Sequence, residues 1–175
     1  TKEYFNLKHK EKPFNPGEDY VNYAGRVFDH NELTNLVESS LDFWLTAGDN
    51  ASFFEKKLAQ YLGTRYSLLT NSGSSANLLS ISALTSEKLG DKRILPGDEI
   101  ITVSNSFIAT CGAIAYEGLV PKLVDVGDDL NIDVKKIEKK ITKKTKAIMP
   151  VHLSGIPSDL DQLNKICKKK KLHLI

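Results

Sequence analysis

The apolar positions change rhythm part-way along the chain. Between residues 29 and 62 they recur at the three-to-four spacing of an amphipathic helix. Asp29 followed by Glu32 reads as a capping box, in which two side chains satisfy the free amides of a helix start. Leu33, Leu36, Val37, Leu41, Trp44 and Leu45 fall on the stripe that follows, and Thr46-Ala47-Gly48 ends it. Ser52 with Glu55 reads as a second capping box, ahead of a stripe of Phe54, Leu58, Tyr61 and Leu62. Gly63 is placed to close that helix. Residues 1–28 are polar and aromatic, with Pro13, Pro16 and Gly17, and read as an extended N-terminal arm.

From residue 66 the apolar residues arrive in short runs separated by helix-length stretches. Strands are expected at 66–70, 100–103, 121–126, 146–153 and 172–175. Helices are expected at 74–84, at 107–117 closed by Gly118, from Asp133 to about Ile141, and from Ser158 or Asp159 to about Lys169. The strands are near-continuously apolar, and strand and helix alternate strictly. That combination predicts an α/β fold whose parallel sheet is covered by helices on both faces. The length of 175 residues is enough for one domain with a real core. The last expected strand is still running at Ile175, so the sequence reads as a fragment of a longer chain.

Composition alters this picture little. Apolar residues make up 41% and charged residues 26%, and the net charge of +2 argues against a large polyanionic partner such as nucleic acid. The basic runs KKIEKKITKKTK (135–146) and KKKK (168–171) surround Val134, Ile137 and Ile141 at helical spacing, as the wet side of an amphipathic helix does. Cys111 and Cys167 have no CxxC partner and read as free or buried thiols of a reducing cytoplasm, not as metal ligands. No signal-peptide pattern, long apolar span or repeat is visible, and no membrane partner is expected.

Candidate chemistry concentrates in NSGSSANLLSISAL, residues 71–84. Ligands of open parallel sheets sit beyond the carboxyl ends of the strands, and this segment opens a helix at such an end. Bare amides at a helix start suit a phosphate. Gly73 lets the backbone approach closely, and Ser74 and Ser75 add hydroxyl donors. The segment is neither a Walker loop nor GxGxxG, so an ordinary Ser-capped helix remains an alternative. Phe107 lies in VSNSFIATCGAI (103–114), after the next strand, and can offer an aromatic face to a flat phosphorylated ring, or else belongs to the core.

Taken in order, FWLTAGDNASFFEKKLAQYLG, NSGSSANLLSISAL, PGDEIITVSNSFIAT, GLVPKLVDV and NIDVKKIEKKITKKTKAIMPVHLSGIPSDLD resemble the DegT/StrS-type sugar aminotransferases and dehydrases. Within that family, YAGRVFD, LDFWLTAG and NSGSSANLL are most similar to the sugar 3-dehydrase branch, of which the CDP-4-keto-6-deoxy-D-glucose 3-dehydrases are one model and the GDP-4-keto-6-deoxymannose enzymes another. The resemblance implies residues 29–175 as the N-terminal part of the large pyridoxal-phosphate (PLP) binding domain of the aspartate aminotransferase, fold type I, class. It implies Gly73, Ser74 and Ser75 at the cofactor phosphate and Phe107 stacked on the pyridine ring.

Other residues carry over less. Ala47-Gly48 lies in a loop near the family's active site, and His152 ends a strand where a lone histidine is more often structural. Asp125, Asp159 and Asp161 read as turn and cap residues.

The acidic partner of the pyridine nitrogen, the Schiff-base lysine or the histidine that replaces it, and the cysteines of any iron–sulfur cluster would all follow Ile175. No catalytic residue is therefore expected within residues 1–175, and the fragment alone is expected to be inactive. For the whole protein the resemblance implies PLP- or pyridoxamine-phosphate-dependent C3 dehydration of a CDP-4-keto-6-deoxyhexose, in deoxysugar and lipopolysaccharide biosynthesis. The alternatives are a nucleotide-sugar aminotransferase and a non-catalytic fragment or pseudoenzyme. A cytoplasmic homodimer and a flavin/iron–sulfur reductase partner are also implied.

Overall fold

Four short strands organise the second half of the chain in a computed structural model that describes residues 1–9, 12–22 and 24–175. They are β1 (Glu99–Val103), β2 (Val120–Val124), β3 (Thr145–Met149) and β4 (His173–Leu174), all parallel, in the order β2-β1-β3-β4. Four helices alternate with them: α4 (Gly73–Leu84), α5 (Ile108–Tyr116), α6 (Val134–Lys140) and α7 (Leu160–Lys170). Successive strand residues point to opposite faces, and the core divides accordingly. Ile100, Ala147 and Met149 pack with Ile81 of α4 and with Ala113 and Ile114 of α5. Ile101, Val103, Val124 and Ile148 pack with Ile137 of α6 and with Leu163 and Cys167 of α7. The α/β class and the two covered faces are those expected from the alternation of apolar runs.

The helix starts follow local chemistry. Asp133 accepts the Lys135 amide at 3.0 Å, and Asp159 accepts the Gln162 amide at 3.0 Å, so Asp159 is the cap of α7. Asp125 accepts from the Val126 amide and from Lys136 of α6, a turn and cross-link task rather than a catalytic one. Ile137 is buried while the lysines around it are largely exposed, as the wet-face reading requires. The expected strand at 146–153 stops at Met149, because Pro150 has no amide to continue the ladder.

The chain divides into two units, Thr1–Leu68 and Leu69–Ile175. The first contains α1 (Lys2–Lys8), α2 (His30–Leu41) and α3 (Asp49–Leu62). The arm is therefore not extended throughout: α1 opens it, and Phe5 and His9 meet Phe28 with ring centroids 5.8 and 5.2 Å apart. The Asp29–Glu32 capping box forms as expected, with the Asp29 amide 2.7 Å from Glu32 Oε2. The second box does not. Asp49 starts α3 with its carboxylate at the positive helix end, which leaves Ser52 one turn inside. Trp44 and Leu45 lie beyond the end of α2, and the stripe residues Leu36, Val37 and Leu41 are exposed rather than buried. Gly63 closes α3 at φ 65°, the left-handed conformation that suits glycine. Residues 66–70, expected as a strand, carry no strand assignment in the described structure. Of the YAGRVFD motif, Tyr23 lies outside the described residues.

At the amino edge of the sheet one carboxylate ties three strands together. Glu99 of β1 accepts from Thr142 at 2.6 Å, from Thr145 of β3 at 2.8 Å and from Lys122 of β2 at 3.0 Å. The Thr142 bond is the largest influence holding its carboxyl below the ordinary value; Thr145 and Lys122 act in the same direction, and burial opposes them. A depressed folded value means that this stability is present above the unfolded carboxylate range, about pH 4.3, and is lost as pH falls through the folded value. Glu99→Gln should cost about 1–3 kcal/mol at pH 7. It should also flatten the acid limb of stability below that range, measured by urea unfolding between pH 7 and pH 2.

Candidate functional site

Strand order reverses between β1 and β3: the chain leaves β1 toward β2 and leaves β3 toward β4. At such a point the two departing loops diverge and open a crevice beyond the carboxyl ends of the strands. A cleft of about 530 Å³ lies there. Gly73, Ser74 and Asn77 of α4 line it, with Ser106, Phe107, Ala109 and Thr110 from the segment after β1, and Met149, Pro150 and Val151 from the end of β3. Thr102 donates to the Met149 carbonyl at 2.8 Å and so fixes the two strand ends to each other beside the cleft. The Ser106 and Thr110 hydroxyls lie 2.7 Å apart and brace the start of α5.

The start of α4 shows which amides are available. Ser72 is the cap; its hydroxyl accepts the Ser75 amide at 3.2 Å, and its carbonyl accepts the Ala76 amide at 3.0 Å. The Gly73 and Ser74 amides have no partner among the described residues and stand at the positive end of a 12-residue helix. Of the residues expected together, Gly73, Ser74 and Phe107 share the cleft, and Ser75 does not line it. The Ser75 amide and hydroxyl are both turned to Ser72.

Phe107 is 74% exposed, which removes the alternative that it is a core residue. It sits at the cap of α5 in extended conformation, so its ring stands at the mouth of the cleft and not in the helix packing. Gly73 is informative for the opposite reason to Gly63. Its φ is not positive, and a Cβ there would meet nothing within 4 Å. Neither backbone conformation nor packing within the chain demands glycine there, and the space beside its amide is open.

The family model for the DegT/DnrJ/EryC1/StrS aminotransferases matches residues 27–175. This chain belongs to that family. It is 44% identical over 174 residues to the lipopolysaccharide biosynthesis protein RfbH of Salmonella typhimurium, covering 99% of this chain and 40% of the relative. It is 40% identical over 170 residues to the dTDP-4-dehydro-2,6-dideoxy-D-glucose 3-dehydratase of Saccharopolyspora spinosa, covering 96% and 37%. A crystal structure of GDP-4-keto-6-deoxymannose-3-dehydratase with a trapped PLP-glutamate geminal diamine superposes with a TM-score of 0.79 at 33% identity, covering 89% of this chain and 40% of that one. The chain thus spans about 40% of the length of these relatives. The parallel sheet and its flanking helices are those of the fold type I sugar dehydratases and aminotransferases.

For a DegT/StrS-family chain the cleft residues fit a phosphorylated pyridine cofactor. Two free amides at a helix start suit the phosphate, the open space at Gly73 admits it, and the exposed Phe107 ring offers a flat apolar face. None of the cleft residues carries a formal charge. Among the described residues no group of three or more His, Cys, Asp or Glu could hold a metal ion. Cys111 lies on α5 and Cys167 on α7, and burial pushes the Cys167 thiol up to about 11. His152 is not part of the cleft; its Nδ1 accepts the Ser158 amide at 3.1 Å, a structural task. Ala47 and Gly48 are held locally in the first unit: Trp44 donates to the Ala47 carbonyl at 3.0 Å, and a Cβ on Gly48 would meet the indole at 2.9 Å. Among the described residues no helix is long and apolar enough to cross a membrane.

Sequence reasoning missed Asn77, Ser106, Thr110 and the Pro150-Val151 wall. Asn77 follows Gly73 by four residues and was accessible from helical spacing alone. The wall was hidden by reading residues 146–153 as one strand. Its support was also hidden. Asn131, 1% exposed, accepts the Leu153 amide at 3.1 Å and donates to the Ile156 carbonyl at 3.2 Å, which pins the turn that continues the wall. Asn131→Ala strands both backbone groups and should lower stability by about 1–3 kcal/mol. Asn131→Asp removes the donor and sets a buried carboxylate against the Ile156 carbonyl and Asp129, so it should lose at least as much, as thermal unfolding of the two variants would read.

Proposed function

We propose that the whole protein is a nucleotide-sugar 3-dehydratase that uses PLP or pyridoxamine phosphate, and that residues 1–175 contribute part of its cofactor site. The observation that carries this reading is the meeting, in one cleft, of the free Gly73 and Ser74 amides and the exposed Phe107 ring. Family membership and the named relatives support it.

In this reading the Gly73 and Ser74 amides and the Ser74 hydroxyl bind the phosphate, and Phe107 covers one face of the ring and excludes water from it. The helix start supplies only about half a unit of positive charge, against −1.5 to −2 on a phosphate monoester. Further cationic or donor groups therefore come from residues outside this chain. When bound, the cofactor supplies an electron sink for the substrate carbon joined to it. The acid that keeps its ring nitrogen protonated, and the base that moves the proton, lie outside residues 1–175.

The substrate we propose is a CDP-4-keto-6-deoxyhexose that loses its C3 hydroxyl. YAGRVFD, LDFWLTAG and NSGSSANLL resemble the sugar 3-dehydrase branch, of which the CDP-sugar enzyme is one model and the GDP-sugar enzyme a close alternative. The named dehydratase relatives act on dTDP and GDP sugars, so competition among the three nucleotides is the direct check. A cytoplasmic homodimer, an iron–sulfur cluster held outside this chain and a flavin/iron–sulfur reductase belong to the same reading. Transamination is the second reading, favoured by the aminotransferase description of the family.

An absorbance spectrum of the whole protein with PLP, before and after borohydride, tests this directly. Cofactor that binds but is not fixed to the chain supports the dehydratase. Covalent fixation reveals a lysine and favours transamination, and absence of binding overturns the cofactor site and leaves a non-catalytic protein. Phe107→Ala should weaken PLP binding by about 1 kcal/mol, roughly fivefold. Gly73→Val should weaken it more while leaving the thermal stability of the cofactor-free protein nearly unchanged.

A further inference from the structure

We infer that Asn77 is a specificity-determining contact of the cleft, its carboxamide hydrogen-bonding the ring side of the ligand whose phosphate sits at Gly73 and Ser74. The inference rests on the cofactor reading above and adds a residue to it. Five polar side chains lie on α4. Ser75 bonds Ser72, Ser80 donates to the Ala76 carbonyl at 2.8 Å, and Ser82 donates to Glu117. Ser74 and Asn77 have no side-chain partner among the described residues, and these two are the ones that line the cleft. On α4, then, the two polar side chains without a side-chain hydrogen bond are the two that line the cleft.

Asn77 is the less exposed of the two. It is half-buried and lies past the first turn of the helix, where asparagine is a poorer choice than alanine or leucine. Its surroundings in the cleft include Ala109, Met149 and Val151, which offer no side-chain donor or acceptor of comparable strength. Stability alone would favour an apolar residue there. The spacing also sets what Asn77 can reach. It follows Gly73 by four residues, about 6 Å along the axis, on the same face of α4. A group bound at the Gly73 and Ser74 amides therefore presents to Asn77 not its phosphate but what the phosphate is attached to. A carboxamide offers donors and an acceptor together, which suits an oxygen or nitrogen substituent on a flat ring.

The test uses the whole protein, with PLP titrated by absorbance and inorganic phosphate as competitor. Asn77→Leu should weaken PLP by about fivefold or more, the effect of one lost hydrogen bond. It should leave the phosphate inhibition constant unchanged and should not lower the melting temperature of the cofactor-free protein. Asn77→Asp, similar in size but negatively charged and unable to donate when ionised, should weaken PLP further. Unchanged PLP affinity in both variants overturns the inference. An equal loss of phosphate affinity in Asn77→Leu overturns it too, by moving the contact to the phosphate, and so does a fall in cofactor-free stability that accounts for the loss. A wild type that binds no PLP overturns the cofactor reading itself, and is distinguished from failure of the inference by the wild-type titration alone.

Discussion

Parallel pairing is the constraint on which the second unit depends. Parallel strands cannot be joined by a tight turn, so each connection carries a helix across a face of the sheet. Crossovers of one hand then force connections running in opposite directions onto opposite faces. Here α5 joins β1 to β2 over the face holding Ile100 and Met149, while α6 and α7 run the other way over the face holding Ile101 and Ile148. The reversal leaves a crevice between the ends of β1 and β3, and the start of α4 borders the same crevice. The cleft is thus a consequence of topology before it is a matter of particular side chains.

Around that cleft, polar groups differ in whether the chain itself satisfies them. Polar groups that serve the fold are paired: Thr102 with Met149, Asn131 with Leu153 and Ile156, His152 with Ser158, Ser72 with Ser75. The groups left open are the Gly73 and Ser74 amides and the Ser74 and Asn77 side chains, which line one cleft. These open groups lie beside the exposed Phe107 ring, where a bound molecule could reach all of them. The site is neutral as this chain supplies it. In the proposed reading, a phosphate there would depend on oriented amides here and on charges contributed from elsewhere.

The first unit shows the opposite situation. α2 and α3 form from sound local signals, yet Leu36, Val37, Leu41, Phe53 and Tyr61 remain exposed. Local capping and spacing are enough to make a helix, but not to cover its apolar stripe, which requires a counter-surface.

The sequence by itself determined the order and type of nearly every element after residue 70, because apolar period and caps such as Asp133 and Asp159 act over a few residues. It also marked Gly73, Ser74 and Phe107, since a helix start after an apolar run and an aromatic after the next are local patterns. It misjudged whatever depended on partners distant in the chain. The arm contains a helix held against Phe28, and the 66–70 run carries no strand assignment. Only the tertiary structure decided which face each helix covers, that β1 and β3 are neighbours, and that Asn77, Ser106 and Val151 share a cleft with Phe107. Those relations join residues up to 78 positions apart, counting from Gly73 to Val151, and no local period encodes them.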